Sequence, residues 1–128
     1  DLLANNTLGH ICRQGVCLPM KSLYGQYIAE RANQAIVEDE FGFATYMFTE
    51  KGVYIEDIYV LPDHRHEHRA SKYADEIAKI AREKGCTKMY GSVVPSANHS
   101  TASLKVLLAY GFYLDSSTNN FILMVKDI

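Results

Sequence analysis

The chain is 128 residues long, 48% apolar and 22% charged, with a formal net charge of −2. That size suits one domain, 1–128, around a single core. The near-neutral balance excludes the strong basic excess of a general nucleic-acid or membrane-surface binder.

No apolar run approaches a membrane span, and no charged-then-apolar leader opens the chain. It begins at Asp1 without a methionine, as a processed or trimmed protein would. Cys12, Cys17 and Cys86 are too few and too uneven for a disulfide scaffold and point to a reducing cytoplasm. Cys12 and Cys17 lie close together, yet no second ligand pair completes a zinc site.

Residues 1–31 read as two short helices broken near Gly15 and Pro19, the second over 21–32 with Leu23, Tyr27 and Ile28 on its buried side. The pattern then changes. Segments 34–38, 41–49 and 53–60 are rich in β-branched and aromatic residues, with turns at Asp39-Glu40 and Lys51-Gly52, which predicts an antiparallel meander. Pro62 ends the third strand because it cannot donate to a ladder.

From about Arg69 the period becomes helical, with Ala70, Tyr73, Ala74, Ile77, Ile80 and Ala81 on one face and Gly85 as the stop. Asp75/Lys79 and Lys79/Glu83 are spaced to pair along that helix. A strand over 86–94 closes at Pro95. A second helix over 100–110, with Ser103, Val106, Leu107 and Tyr110 in register, stops at Gly111. Strands near 112–115 and 121–125 end the chain. The fold class is therefore α/β, with a mixed, mostly antiparallel central sheet flanked by helices.

The stretch from Tyr54 to Cys86 carries the chemistry. A strand that empties into a basic turn at a helix N-terminus makes an anion site, because unpaired amides and the helix dipole converge there. Tyr54 and Glu56 should share a strand face with Ile58 and Val60, while Asp57 joins Ile55 and Tyr59 on the other. His64, His66 and His68 alternate and could project three imidazoles to one side. A phosphate-facing loop explains them better than a zinc site.

Ile55-Glu56-Asp57-Ile58-Tyr59-Val60 running into Pro62, the Arg65-centred turn, and Asn98 ahead of a helix ending in Gly111-Phe112 resemble the motifs of the GNAT superfamily of N-acetyltransferases. The resemblance covers about residues 33–125. That family usually opens with a strand before its first helix, which no segment here supplies by pattern. It implies acetyl-CoA as cosubstrate, with no metal. In the family, the strand matching 53–60 splays from its neighbour, so that backbone groups near Ile58, Tyr59 and Val60 face the pantetheine arm and the thioester.

The family's turn, Arg/Gln-x-x-Gly-x-Gly/Ala, corresponds to Arg65-His66-Glu67-His68-Arg69-Ala70, with His68 where glycine is expected. The resemblance implies a pyrophosphate held by the amides of His66 to Ser71, with charge from Arg65 and Arg69 and with His68 and Ala70 at the cradle. Asn98 and Ser103 complete the implied cofactor-binding set. Glu56 is the implied general base, needed because an alkylamine with a pKa of about 10 is protonated at neutral pH. The family's usual tyrosine acid falls at Leu107, which leaves Tyr110 as the candidate acid or as a core aromatic.

The implied acceptor is a primary amine on a small molecule or a protein, with no nucleic-acid or membrane partner and a homodimer left open. The departures at His68 and Leu107 also suit an alternative, a degenerate module of the same fold that binds a protein partner.

Overall fold

The structure, a computed structural model, describes residues 10–13, 16–19, 22–65 and 67–128. It divides into two compact units, 1–36 and 37–128. In the first, β1 (His10–Arg13) and β2 (Val16–Pro19) pair antiparallel, Cys12 opposite Cys17, as a separate two-stranded sheet. This hairpin replaces the expected first helix. Two strands therefore precede the first helix, where the sequence pattern shows none.

Helix α1 (Leu23–Ala32) starts where the Ser22 hydroxyl accepts the Gly25 N–H at 3.0 Å and ends at Asn33 in the left-handed region. Its buried residues are Gly25 and Ile28. Leu23 and Tyr27, placed on the buried side by periodicity, are 84% and 59% exposed. Tyr27 instead lies under the Arg31 guanidinium, one turn on.

The main sheet is built from β3 (Ala35–Glu38), β4 (Gly42–Thr49), β5 (Gly52–Val60), β6 (Lys88–Val93), β7 (Tyr113–Thr118) and β8 (Phe121–Asp127), in the order β3-β4-β5-β6-β8-β7. The β4–β5, β6–β8 and β7–β8 pairs are antiparallel, and β5–β6 is parallel. A parallel pair needs a long crossover, and α2 (Arg69–Glu83) supplies it.

Tyr73, Ala74, Ile77, Ala78 and Ala81 form the buried stripe of α2, which packs on β4 and β5. Ile77 is fully buried, worth about 2–3 kcal/mol of transfer free energy. The helix ends with Gly85 left-handed, the Cys86 N–H reaching back to Ala81 O and the Gly85 N–H to Arg82 O. Helix α3 (Ser100–Tyr110) ends the same way at Gly111, lies against β6 and has no fully buried residue. Its better-covered positions are Leu104, Leu107 and Tyr110, while Ser103 is exposed, so the inward face is rotated from the predicted one.

The meander holds with small changes at the strand ends, whereas the strand expected near 112–115 extends to Thr118 with every residue exposed. The spaced pairs on α2 are absent from the ion pairs among the described residues, and Asp75 takes a different partner, described below.

Gly52 opens β5 at φ +153°, and a Cβ there would lie 2.2 Å from the Lys88 carbonyl oxygen. That contact is with backbone beside the start of the parallel pair, so no rotamer change relieves it. Gly52→Ala is expected to cost about 2–3 kcal/mol, lowering Tm on the order of 10 °C in a thermal melt.

Candidate active site

The β5–β6 ladder has three residue pairs, Val53↔Met89, Tyr54↔Tyr90 and Ile55↔Gly91. Beyond them β5 runs on to Val60 and β6 to Val93, outside that ladder. The sheet therefore opens between its two central strands. Across the last rungs, the Tyr54 hydroxyl donates to Ser92 Oγ, and burial pushes the phenol's pKa up.

The divergence begins at a bulge. Ile55 pairs with Tyr46 and Asp57 with Thr45, so Glu56 has no Cα partner on β4. The Asp57 N–H donates to Thr45 Oγ1 at 3.1 Å, inside the sheet, where Thr45 is fully buried. The extra residue breaks the alternation read from sequence. Ile58 joins Ile55 on the α2 side of the sheet instead of sharing a face with Tyr54 and Glu56.

Backbone polarity in the opening follows from two bonds on the β4 edge: Asp57 N–H to Thr45 Oγ1, and Leu61 N–H to Phe41 O at 2.8 Å. Amides alternate along an extended strand. The Ile58 and Val60 amides consequently point the other way, into the opening. The Val60 carbonyl, turned the same way as the Val60 amide, accepts from Arg65 Nε at 2.9 Å, which sets the guanidinium at the mouth, beside the Tyr59 ring. Underneath lies a largely apolar hollow walled by Ile55 and Ile58 from β5, the first turns of α2 including Ser71, and Val106, Leu107 and Tyr110 from α3.

At the same end of the sheet, α2 begins. Its N-cap is His68, with φ 58° and ψ 28°. This is the left-handed conformation for which glycine is the usual residue, so the chain keeps the backbone shape at the glycine position while carrying a side chain. His66 lies outside the described residues. Arg69, expected to face a phosphate, has its Nε on Glu67 Oε1 at 2.9 Å and its guanidinium 3.6 Å over the Phe41 ring. Glu67 also meets His64 Nδ1 at 3.1 Å, and the His64 ring stacks on Phe41.

Asp39 anchors this corner. It accepts the Phe41 and Gly42 N–H groups and the Tyr73 hydroxyl, the last at 2.6 Å, with Arg69 Nη1 4.0 Å away. Burial alone would raise its pKa, but the three hydrogen bonds and Arg69 hold the carboxyl below its ordinary value. Burial, and after it the same bond, push the Tyr73 phenol's pKa up.

Glu56 is exposed, and desolvation together with the neighbouring Asp57 carboxylate raises its pKa. The Tyr110 hydroxyl donates to Asp75 Oδ1 on α2, and burial plus that bond raise its pKa strongly. Its proton is thus committed to a carboxylate that ties α3 to α2. Asn98 and Ser103 are both exposed, Asn98 in the turn before α3 and Ser103 one turn into it.

The opening thus brings together Glu56, Ile58, Val60, Arg65 and the first turn of α2, while Tyr110 turns to Asp75. Sequence reasoning assigns no role to Ser92, places Asp39 only in a turn and pairs Asp75 only with Lys79; their partners here lie 34–38 residues away and depend on the sheet register.

The model of the acetyltransferase (GNAT) family matches residues 24–112. The chain belongs to the GNAT acetyltransferase family.

Among curated proteins, thialysine N-epsilon-acetyltransferase of Sus scrofa is 36% identical over 52 residues, covering 37% of this chain and 31% of that protein. The Bos taurus protein of that name is 40% identical over 53 residues, covering 38% and 31%. The matched part is thus about a third of the length of these curated relatives.

Among solved structures, PaiA N-acetyltransferase of Thermoplasma acidophilum in complex with coenzyme A superposes with TM-score 0.61 at 17% identity, over 69% of this chain and 54% of that one. IAA acetyltransferase of Bacillus cereus gives TM-score 0.61 at 16% identity, over 80% and 84%. At these identities the likeness is one of fold.

The Asp39 cluster makes a pH-dependent contribution with a definite sign. Because the folded pKa is lowered, the stabilisation is present above the unfolded value of about 3.9 and fades as pH falls through the folded one. Asp39→Asn is expected to cost about 1 kcal/mol at pH 7, a figure reduced for the exposure of the carboxylate. Urea titrations should show the gap between mutant and wild type closing below about pH 4.

Proposed function

We propose that this chain is an acetyl-CoA-dependent N-acetyltransferase that moves an acetyl group directly to a primary amine. One observation carries the reading: β5 leaves β6 after Ile55↔Gly91, which turns two amides into an opening that ends at the N-terminus of α2. Membership of the GNAT family supports it, and the names of the thialysine N-epsilon-acetyltransferases support an alkylamine as acceptor.

The opening fits the donor: backbone amides for the arm, an apolar hollow beside them, and a helix start with Arg65 for the phosphates. When bound, acetyl-CoA supplies the acyl group as an activated thioester. The Ile58 N–H is set to hold the acyl oxygen and to strengthen that bond as negative charge develops there. The amides from Arg69 to Ser71 and the Arg65 guanidinium would hold phosphate oxygens, and Ala70 leaves room for them. His68 keeps the helix start in the shape this requires, with its imidazole beside the cradle.

Glu56, raised by its surroundings, accepts the proton of the attacking ammonium, directly or through water. Asp57 shares the negative potential that draws a cationic amine. We leave Tyr110 out of proton transfer and assign it to the α2–α3 tie. A thiolate with a pKa of about 8.5 departs without strong protonation. We assign the protein to the cytoplasm.

Thermal unfolding with acetyl-CoA and with free CoA tests donor binding. At a hundred times Kd either should stabilise the fold by about 2.7 kcal/mol, an upward shift of several degrees. No shift at millimolar ligand would exclude the enzyme reading and favour a degenerate module that binds a protein partner.

Glu56→Gln is expected to lower kcat/KM by about 10²–10⁴-fold while the acetyl-CoA shift persists. The wild-type rate should fall as pH drops through the Glu56 pKa, with a midpoint above the ordinary glutamate value of about 4.3. Full turnover by Glu56→Gln would remove Glu56 from the mechanism.

A further inference from the structure

Beyond the last rung of the β5–β6 ladder the two strands are tied once more, through side chains. Tyr54 pairs with Tyr90 inside the ladder, yet its hydroxyl reaches past Tyr90 and donates to Ser92 Oγ, one residue beyond the final pair, Ile55↔Gly91. At about 4.8 Å between strands and about 3.3 Å per residue, that diagonal is about 8 Å, a distance a tyrosine spans. Among the described residues no other side-chain hydrogen bond joins β5 to β6.

Both ends of the bond are held from outside the gap. Tyr54 pairs with Met47 on β4, and Ser92 pairs with Leu123 on β8. The bond therefore links the two halves of the sheet, β3-β4-β5 and β6-β8-β7, at the level where their backbones stop pairing. It lies on the face away from the helices. A Cβ on Gly91 would meet Leu107 of α3, so Ser92, the next residue along the strand, points the other way. The base of the opening is thus bounded by Leu107 on one face and by the Tyr54–Ser92 pair on the other.

We infer that Tyr54 and Ser92 are positioning residues for acetyl transfer: their bond sets the separation of β5 from β6 at the base of the opening, and so fixes where the Ile58 amide stands relative to the acyl oxygen. The inference rests on the acetyltransferase reading above. Both residues act through Ile58, three positions beyond the last β5 residue paired with β6.

A ladder of three rungs leaves the strands free to pivot beyond it, and the bulge on β5 adds a second compliant point. Zipping the strands further would pair the Ile58 amide with β6 and shut the site. Widening them would carry that amide away from the acyl oxygen. The Tyr54 ring is a stiff spacer that opposes the first movement, and its bond to Ser92 opposes the second. Burial raises the phenol's pKa, so the hydroxyl keeps the proton it donates throughout the neutral range. Reactive geometry is steep enough for the constraint to matter, since a misplacement of about 1 Å can cost about 10²-fold in rate.

The test uses the whole chain and three substitutions. Tyr54→Phe keeps the spacer and loses the bond, Ser92→Ala loses the bond from its other end, and Ser92→Thr keeps a hydroxyl there. With acetyl-CoA as donor and thialysine as the amine probe, Tyr54→Phe and Ser92→Ala should each lower kcat about 10- to 100-fold. The acetyl-CoA KM and the calorimetric Kd of free CoA should stay within about threefold, because phosphate binding at the helix start is untouched. The double variant should be no slower than either single one, since all three lack the same bond. Ser92→Thr should recover at least about a third of the wild-type kcat.

Amide NMR spectra of the ligand-free protein read the same geometry without any acceptor. The Ile58 and Val60 signals should shift or broaden in Tyr54→Phe and in Ser92→Ala, while those of Val53 and Met89, inside the ladder, stay in place.

A kcat within twofold of wild type in either single variant would overturn the inference and leave the acetyltransferase reading standing. Unmoved Ile58 and Val60 signals would do the same. So would parallel losses of kcat, CoA affinity and Tm, the mark of a contact that only holds the sheet together. If wild type binds CoA but turns over thialysine too slowly to assay, the NMR comparison decides. Failure of wild type to bind CoA or acetyl-CoA would overturn the function itself, and this role with it.

Discussion

The rest of the site depends on how short the ladder between β5 and β6 is. Two parallel central strands that paired along their whole length would bury every amide between them and offer a ligand nothing. Here three pairs hold the strands together at one end, and the bulge at Glu56 bends β5 away at the other. The same extra residue rephases the strand, so that Ile55 and Ile58 both turn toward the helices while the Ile58 amide faces the gap. One inserted residue thus accounts for the opening, its hydrocarbon floor and its polar edge.

The helix start at the mouth is fixed by a cluster of modest interactions that share partners. Asp39 closes the β3–β4 turn, takes the Tyr73 hydroxyl from α2 and lies near Arg69, while Glu67 joins Arg69 to His64 and Phe41 packs against both. None of these contacts is fully buried, so none is worth much alone. Their common effect is positional: they hold the first turn of α2 against the β3–β4 corner while His68 keeps a left-handed backbone there. A side chain at that position has a strain cost of about 1–2 kcal/mol, which the surrounding contacts offset.

How much of this was legible in the sequence follows the physics of each element. α3 reads from its period and from Gly111, and its bounds, Ser100–Tyr110, match those expected. α2 reads equally well because five buried residues repeat along one side. Only the start of β7 reads from sequence, since an exposed edge strand of Ser, Ser and Thr has no apolar alternation to detect. The β1–β2 hairpin reads as helix from sequence because four-residue strands are too short to show a period. The bulge left a faint trace, the consecutive acidic residues Glu56-Asp57 inside an apolar strand, but its register needs the partner strand to be seen. For the same reason the bonds of Tyr54, Tyr73 and Tyr110 to distant residues were out of reach.

α3 is the wall of the site least bound to the rest. It lacks a fully buried residue, and Val106 and Leu108 stand about half exposed. Its ties include the packing of Leu107 on Gly91, the anchored Phe112 beyond its end, and the Tyr110–Asp75 bond. An element with so little burial opens at a free energy well below that of global unfolding. The floor of the site, on β5 and α2, therefore belongs to the last structure to melt, while one side wall breathes on its own, so the hollow has a fixed depth and an adjustable width.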